Sequence, residues 1–212
     1  MTPGYRPWHT GGIGKDSRLP RQRRSRETVS ELLEAAAQVF TREGATATTN
    51  RIAARAGVSI GTLYRYFPDK EALLRALAQH HVADASNRLD GACTRLRADR
   101  RPFEDTMRAL ATAVVELHAD RPGVHRVMHR LAPRAIRDLA DLSALEERLT
   151  ADVEFHMVRC GRGGPDTELT ARTVVAAVDA HVHQVLTRRP IEPGRAVDQL
   201  VALINALAPP PR

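Results

Sequence analysis

Apolar residues recur at spacings of three and four along most of the chain, which is the pattern of amphipathic helices. The first such stripe predicts a helix that begins near Glu27 and ends at Gly44; its apolar members are Val29, Leu32, Leu33, Ala36, Val39 and Phe40. Residues 1–25 are rich in glycine, proline and polar side chains and show no period. We therefore expect them to form a flexible leader.

Two more short helices and a long one are predicted next. Thr48 can cap a second helix, which Gly57 ends after about two turns. Ser59 can cap a third helix, which Pro68 interrupts, and Asp69 can cap a fourth. The chain thus begins with three short helices followed by a long one.

Helical stripes continue to the end of the chain. They predict helices over residues 103–117, 142–157, 174–186 and 197–207, with a glycine- and proline-rich turn at 161–166. No useful length of sequence alternates with period two, so no sheet is expected. The predicted fold class is all-α, with roughly eight to ten helices.

Composition narrows the class of protein. The 212 residues are 42% hydrophobic and 27% charged, and no window of about 18 uninterrupted apolar residues could span a membrane. The first 20 residues lack the apolar core of a secretory signal. The two cysteines, Cys93 and Cys160, cannot form a disulfide framework and favour a reducing cytoplasm as the location.

The formal charge of +7 is concentrated at one end. Residues 1–26 carry seven basic side chains and one acidic side chain, so nearly all the excess lies there. Such an arm is a footprint for a polyanion, either nucleic acid or an anionic membrane surface. A solvated tail that binds no partner would have the same composition.

The sequence between Thr48 and Leu74 carries a helix-turn-helix pattern. A short helix, a turn at Gly57 and a second helix from Ser59 have the spacing of this motif, whose second helix lies in the DNA major groove. Glycine suits the turn because it adopts a positive φ at little cost. The side chains that can hold the two helices together are Ile52, Ala53, Ala56, Val58 and Leu63.

The segment IAARAGVSIGTLYRYFPDKEALL, residues 52–74, resembles the DNA-binding segment of the tetracycline-repressor (TetR) family of bacterial regulators. With the first helix, the resemblance covers about a quarter of the chain. It implies a three-helix DNA-binding domain over 26–70 and a helical effector-binding and dimerisation domain over 71–212. The basic leader over 1–25 departs from the family pattern.

The resemblance also implies roles for single residues. Thr48 and Lys70 match positions that contact the DNA backbone, and seven residues match recognition-helix positions that face DNA: Ser59, Ile60, Gly61, Thr62, Tyr64, Arg65 and Tyr66. The guanidinium of Arg65 can read guanine O6 and N7, and threonine and tyrosine hydroxyls can donate to phosphate. Tyr64 and Tyr66 could instead pack against the first helix, and Ile60 could lie at the domain edge. Thr49 departs from the family pattern, in which an apolar residue is common.

For the second domain, the resemblance implies a small-molecule effector and a homodimer that pairs through the last two long helices, about 168–188 and 193–207. The same apolar stripes would also suit the core of a monomer. The expected ligand-binding residues are aliphatic, aromatic or polar groups of the middle helices: Phe103, Met107, Met128, His129, Phe155 and Met157.

No cofactor and no metal site are expected. His125 and His129, and likewise His156 and Cys160, have a workable metal spacing, but such spacings occur often by chance. The sequence contains neither a phosphate-binding loop nor a recognisable pair of nucleophile and base, so it gives no sign of an enzyme.

The sequence therefore predicts a repressor that binds a palindromic double-stranded DNA operator as a homodimer and is released by an unknown small molecule, with no membrane partner. An activator or a ligand-independent regulator would have the same DNA-binding sequence. A helical-bundle enzyme, or a scaffold whose basic arm binds a partner, would differ from these regulators in having no preference for a DNA sequence.

Overall fold

A computed structural model describes residues 20–120, 140–186 and 191–210, and within these ranges every regular element is a helix, which confirms the all-α prediction. None of the described helices combines the length and apolar character that a bilayer crossing requires. The elements are α1 Pro20–Glu43, a 3-10 turn Gly44–Thr46, α2 Thr49–Arg55, α3 Ile60–Tyr66, α4 Lys70–Asp99, α5 Phe103–Asp120, α6 Ala140–Arg159, α7 Thr167–Gln184 and α8 Pro193–Leu207.

Helix α1 is longer than the sequence pattern indicated. The predicted start at Glu27 is wrong, because the helix begins at Pro20 and includes residues 20–25 of the expected leader. Proline is tolerated in the first turn of a helix, and arginine and glutamine are good helix formers. Arg23 also pairs with Glu27 one turn later, at 3.1 Å. The apolar stripe failed to show this start because these first turns are polar.

The chain divides into two compact units, Met1–Leu73 and Leu74–Arg212. In the first unit, α1, α2 and α3 each bury one face, and the side chains with 0% exposure include Leu32, Phe40, Ile52 and Leu63. Burial of each such side chain contributes about 1.5–3 kcal/mol. The small N-terminal unit is therefore held together by α2, which packs against both α1 and α3.

In the second unit, the apolar stripe of α8 lies in the core of the protomer. Its residues Val197, Leu200, Val201 and Ile204 are at most 6% exposed. They pack with α5 and α7 side chains such as Val115. Of the two roles that the stripe allowed, the structure shows the monomer core, so this face of α8 is covered within the protomer, and how two protomers pair stays a prediction. Periodicity identified a buried face but could not say what covers it.

The turn before α7 is shaped by glycine. Gly163 has φ +97°, and a Cβ added there would lie 2.8 Å from Cγ2 of Thr167. Asp166 then caps α7, because its side chain accepts a hydrogen bond from the N–H of Leu169 at 3.0 Å. Such a cap contributes about 1 kcal/mol. The predicted turn at 161–166 is confirmed.

Candidate nucleic-acid interface

The connection between α2 and α3 is built from two side-chain caps and one glycine. Oγ1 of Thr48 accepts a hydrogen bond from the N–H of Arg51 at 3.3 Å, and Oγ of Ser59 accepts one from the N–H of Thr62 at 3.1 Å. Gly57 lies between the helices with φ +69°. The predicted caps and the glycine turn are confirmed, and they set the angle at which α3 leaves α2.

Helix α3 has one buried face and one exposed face. Leu63 is fully buried against the first unit's core, whereas Ile60 is 37% and Tyr64 is 47% exposed. Gly61 and Arg65 are exposed as well. Exposed large apolar and aromatic side chains beside an arginine are the groups that contact bases and sugars in the major groove.

The surface around α3 is basic. Residues 44–68 include Arg51, Arg55 and Arg65 and contain no aspartate or glutamate. The first turns of α1, residues 20–26, add four arginines and no acid. Positive side chains at a helix N-terminus oppose the helix dipole, although Arg23 is paired with Glu27 one turn later. Such a distribution suits a polyanionic partner.

Arg65 and Tyr66 form a stacked pair at the end of α3. The guanidinium carbon of Arg65 lies 5.0 Å from the centre of the Tyr66 ring, and its Nη2 donates to the Tyr66 hydroxyl at 3.3 Å. The nearby Ser25 of α1, followed by Arg65, lowers the pKa of Tyr66. Tyr66 is half-buried and lies close to the basic start of α1.

The hydroxyl of Tyr64 contacts α2 rather than α1. Its oxygen lies 3.1 Å from Oγ1 of Thr49, the residue that departs from the family pattern. One hydroxyl of this pair donates to the other, so the second O–H remains available to a phosphate oxygen. No local sequence pattern indicates this contact, because the two residues lie on different helices.

Lys70 makes contacts within the protein. Its ammonium donates to the carbonyl of Ala45 at 2.8 Å and lies 5.6 Å from the centre of the Phe40 ring. The contact ties the start of α4 to the 3-10 turn after α1. An ammonium has three donors, so the bond to Ala45 leaves two others for a phosphate.

Gly61 faces open space. A Cβ built on it would meet only Oγ of Ser59, at 3.8 Å, which is an ordinary van der Waals contact. The backbone of Gly61 is not in the positive-φ region. The protein's own packing therefore does not require glycine here.

In the second unit, three of the expected ligand-binding residues lie in one packed apolar cluster. Phe103, Met107 and Met157 are 3%, 1% and 0% exposed and contact Val174 and other core residues. Phe155 is half-buried, with the guanidinium carbon of Arg97 lying 4.4 Å from its ring centre. The remaining residues of that prediction, Met128 and His129, lie outside the described residues.

Of the two residue pairs with a metal-binding spacing, the structure describes only His156 and Cys160. His125 and His129 lie outside the described residues. Nδ1 of His156 is 3.2 Å from Nη2 of Arg159, so this nitrogen accepts from a cation rather than binding one. Burial, followed by the charge of Arg159, lowers the pKa of His156. Across the described ranges, no group of three or more His, Cys, Asp or Glu side chains is arranged to hold a metal.

A capped short helix, a glycine turn and a second helix with an exposed basic face define a helix-turn-helix DNA-binding domain. The family model "Bacterial regulatory proteins, tetR family" matches residues 32–77, and "Tetracyclin repressor-like, C-terminal domain" matches residues 102–206. Together they match well over half of the chain. The protein belongs to the tetR family of bacterial transcriptional regulators.

Individual relatives are distant. The chain is 33% identical over 81 residues to the nucleoid occlusion factor SlmA of Actinobacillus pleuropneumoniae, a match that spans 38% of this chain and 38% of that protein. It is 26% identical over 163 residues to SlmA of Photobacterium profundum, covering 73% of this chain and 81% of that protein. A tetR-family transcriptional regulator from Streptomyces coelicolor has the same fold, with a TM-score of 0.62 at 20% identity, over 86% of this chain and 80% of that chain.

Proposed function

We propose that this protein is a transcriptional repressor that binds a near-palindromic operator as a homodimer and releases it when a small molecule binds the second unit. The observation that carries the proposal is the exposed face of α3, where Gly61, Tyr64 and Arg65 lie within a segment, residues 44–68, that contains no aspartate or glutamate. Such an exposed face suits contact with the major groove, whereas a helix that served only the protein core would not need these side chains on its exposed face.

Contacts to DNA divide by chemistry. Arg65 reads bases, because its planar fork matches guanine O6 and N7, and Ile60 contacts a thymine methyl group. Thr48, Ser59, Thr62, Tyr64, Tyr66 and Lys70 supply hydroxyl and ammonium donors to the DNA backbone, and Gly61 lets that backbone come close. The arginines of α1 add affinity that depends on salt and not on sequence.

The proposed dimer forms through α6 and α7. The exposed large apolar side chains of the second unit include Val158 on α6, at 64%, and Leu169 on α7, at 59%. The stripe of α8 is unavailable because it lies in the protomer's own core. Two protomers related by a two-fold axis would present two α3 helices to successive half-sites, which makes the operator a near-palindrome.

The effector is proposed to enter the cluster around Phe103, Met107 and Met157, together with Phe155, Met128 and His129. Methionine side chains are adaptable and can repack around a guest molecule. The match to a repressor-like C-terminal domain supports an effector in this unit. A ligand that prefers one separation of the two α3 helices would shift the population away from the DNA-binding form.

The proposal is tested by selecting bound sequences from a random DNA pool and weighing the complex by light scattering. We expect a near-palindrome bound by two protomers. Enrichment of no sequence at moderate salt would contradict the proposal.

Two matched variants test the dimer surface. Leu169→Glu should yield monomers and lose the palindrome, because a charge is forced into the pairing surface. Ala202→Glu, on the exposed face of α8, should remain dimeric. The reverse result would place the interface on α8.

A further inference from the structure

Two histidines from different helices meet in the second unit. Nε2 of His118 on α5 lies 3.0 Å from Nε2 of His183 on α7. The rings cross at 63° with their centroids 4.8 Å apart. The residues are 65 positions apart in sequence, so only the fold brings them together.

The other ring nitrogen of each histidine is held by oxygen. Nδ1 of His118 lies 2.7 Å from the carbonyl oxygen of Val114. Nδ1 of His183 lies 3.1 Å from the carbonyl oxygen of Asp179 and 2.9 Å from its carboxylate Oδ1. These oxygens only accept hydrogen bonds, so each Nδ1 carries the hydrogen.

A neutral imidazole carries one hydrogen. With both hydrogens on Nδ1, the two Nε2 atoms present lone pairs to each other at 3.0 Å, and these lone pairs repel unless they share a cation. Two imidazole nitrogens bound at about 2.0–2.1 Å to one metal ion stand at this separation when the nitrogen–metal–nitrogen angle is about 95°. Opening to a tetrahedral angle requires a shift of only a few tenths of an ångström.

The surroundings favour a divalent cation. Asp179 holds one imidazole, and its charge also reaches Glu146 on α6, where burial first and Asp179 second raise the pKa of the glutamate. A cation held by the two rings would be attracted by the negative charge of Asp179, which is in contact with His183. A histidine that binds a metal typically donates its other N–H to a carboxylate or a carbonyl, which is the arrangement seen on both rings.

We propose that His118 and His183 form a two-histidine clamp for a divalent transition metal ion of the Zn²⁺, Ni²⁺ and Cu²⁺ class, with Asp179 and the Val114 carbonyl as positioning groups. Imidazole nitrogen is the ligand these ions share. Among the described residues the clamp supplies two protein ligands, and other ligands complete the coordination sphere. Metal binding would link α5 to α7 and does not depend on the proposed operator or effector.

The first test uses the full chain without a histidine tag, carrying Cys160→Ser so that the half-buried thiol cannot contribute. One equivalent of Cu²⁺ is added, since copper binds such sites most tightly among these ions. Electron paramagnetic resonance should show coupling to two imidazole nitrogens. A spectrum with one nitrogen, or with that of free copper, would overturn the proposal and leave a shared proton as the cation of the pair.

The second test measures Zn²⁺ affinity by competition with a chromophoric chelator. His118→Asn and His183→Asn should each weaken binding by at least about tenfold, and Asp179→Asn by about tenfold through loss of orientation. His181→Asn, on the same helix, is the matched control and should leave the affinity unchanged. Equal Zn²⁺ affinity in all variants would overturn the proposal. If a variant fails to fold, the copper spectrum of the protein with both histidines intact tests the proposal instead.

Discussion

The guanidinium of Arg65 lies over the ring of Tyr66, with its carbon 5.0 Å from the ring centre, and donates to the Tyr66 hydroxyl at 3.3 Å. The arginine proposed to read bases is thus oriented by the tyrosine that follows it in the chain. Orientation before binding reduces the entropy lost when a side chain engages its target.

This relationship predicts a graded effect of substitutions at Tyr66. Tyr66→Phe keeps the ring under the guanidinium but removes the hydroxyl to which Arg65 donates, so operator affinity should fall by about threefold to tenfold, corresponding to about 0.5–1.5 kcal/mol. Tyr66→Ala should cause a larger loss. Fluorescence anisotropy with labelled operator measures both, and unchanged affinity in Tyr66→Ala would contradict a role for the pair.

Substitution of Gly61 should change protein stability and operator affinity in opposite directions. Gly61→Ala should raise the free energy of unfolding, by up to about 1 kcal/mol, because alanine favours the helix and the added Cβ meets only an ordinary contact at 3.8 Å. Operator affinity should nevertheless fall, because the methyl group meets the DNA backbone. Urea unfolding and anisotropy measure the two effects. A variant that is more stable and binds equally well would show that DNA does not approach here.

His156 should make stability depend on pH. Burial, followed by the charge of Arg159, holds its pKa below 6.5 in the folded protein, so the unfolded chain takes up the proton first as the pH falls. The stabilisation from the neutral ring is therefore present above about pH 6.5 and is lost as the pH falls toward the folded pKa. The urea midpoint should fall more between pH 7.5 and pH 5 in the wild type than in His156→Gln. Equal pH dependence in the two proteins would contradict this.

The two cysteines should differ in reactivity. Burial, reinforced by Asp152, raises the pKa of Cys93 to about 12, so only about one molecule in ten thousand carries its thiolate at pH 8. Cys160 is half-buried. Ellman's reagent should label one thiol per chain in the native protein and two in denaturant. Rapid labelling of both thiols in the native protein would show that Cys93 is accessible.

Local signals predicted the DNA-binding unit well. Thr48, Ser59 and Asp69 each cap a helix as expected; Oδ1 of Asp69 accepts from the N–H of Ala72 at 2.7 Å. Caps and glycine turns involve residues three or four positions apart, so the sequence contains the whole interaction. The start of α1 at Pro20 was missed because its first turns are polar and show no apolar period.

Contacts between distant residues could not be predicted in this way. The bond between Thr49 and Tyr64 joins two helices, and the meeting of His118 with His183 spans 65 positions. The apolar stripe of α8 is a further example, because its period would be the same whether α5 of the same chain or a second protomer covered it. Such contacts depend on how helices pack, which periodicity does not specify.

The central claim is that α3 reads DNA sequence through Arg65. The most direct measurement compares affinity for the selected operator with affinity for a scrambled duplex, in the wild type, in Arg65→Ala and in Arg26→Ala, an exposed arginine of α1. Arg65→Ala should reduce the ratio of the two affinities by about 5–150-fold, the equivalent of about 1–3 kcal/mol. Arg26→Ala should weaken binding to both duplexes equally. If Arg65→Ala also weakens both equally, Arg65 contacts phosphate and the claim is wrong.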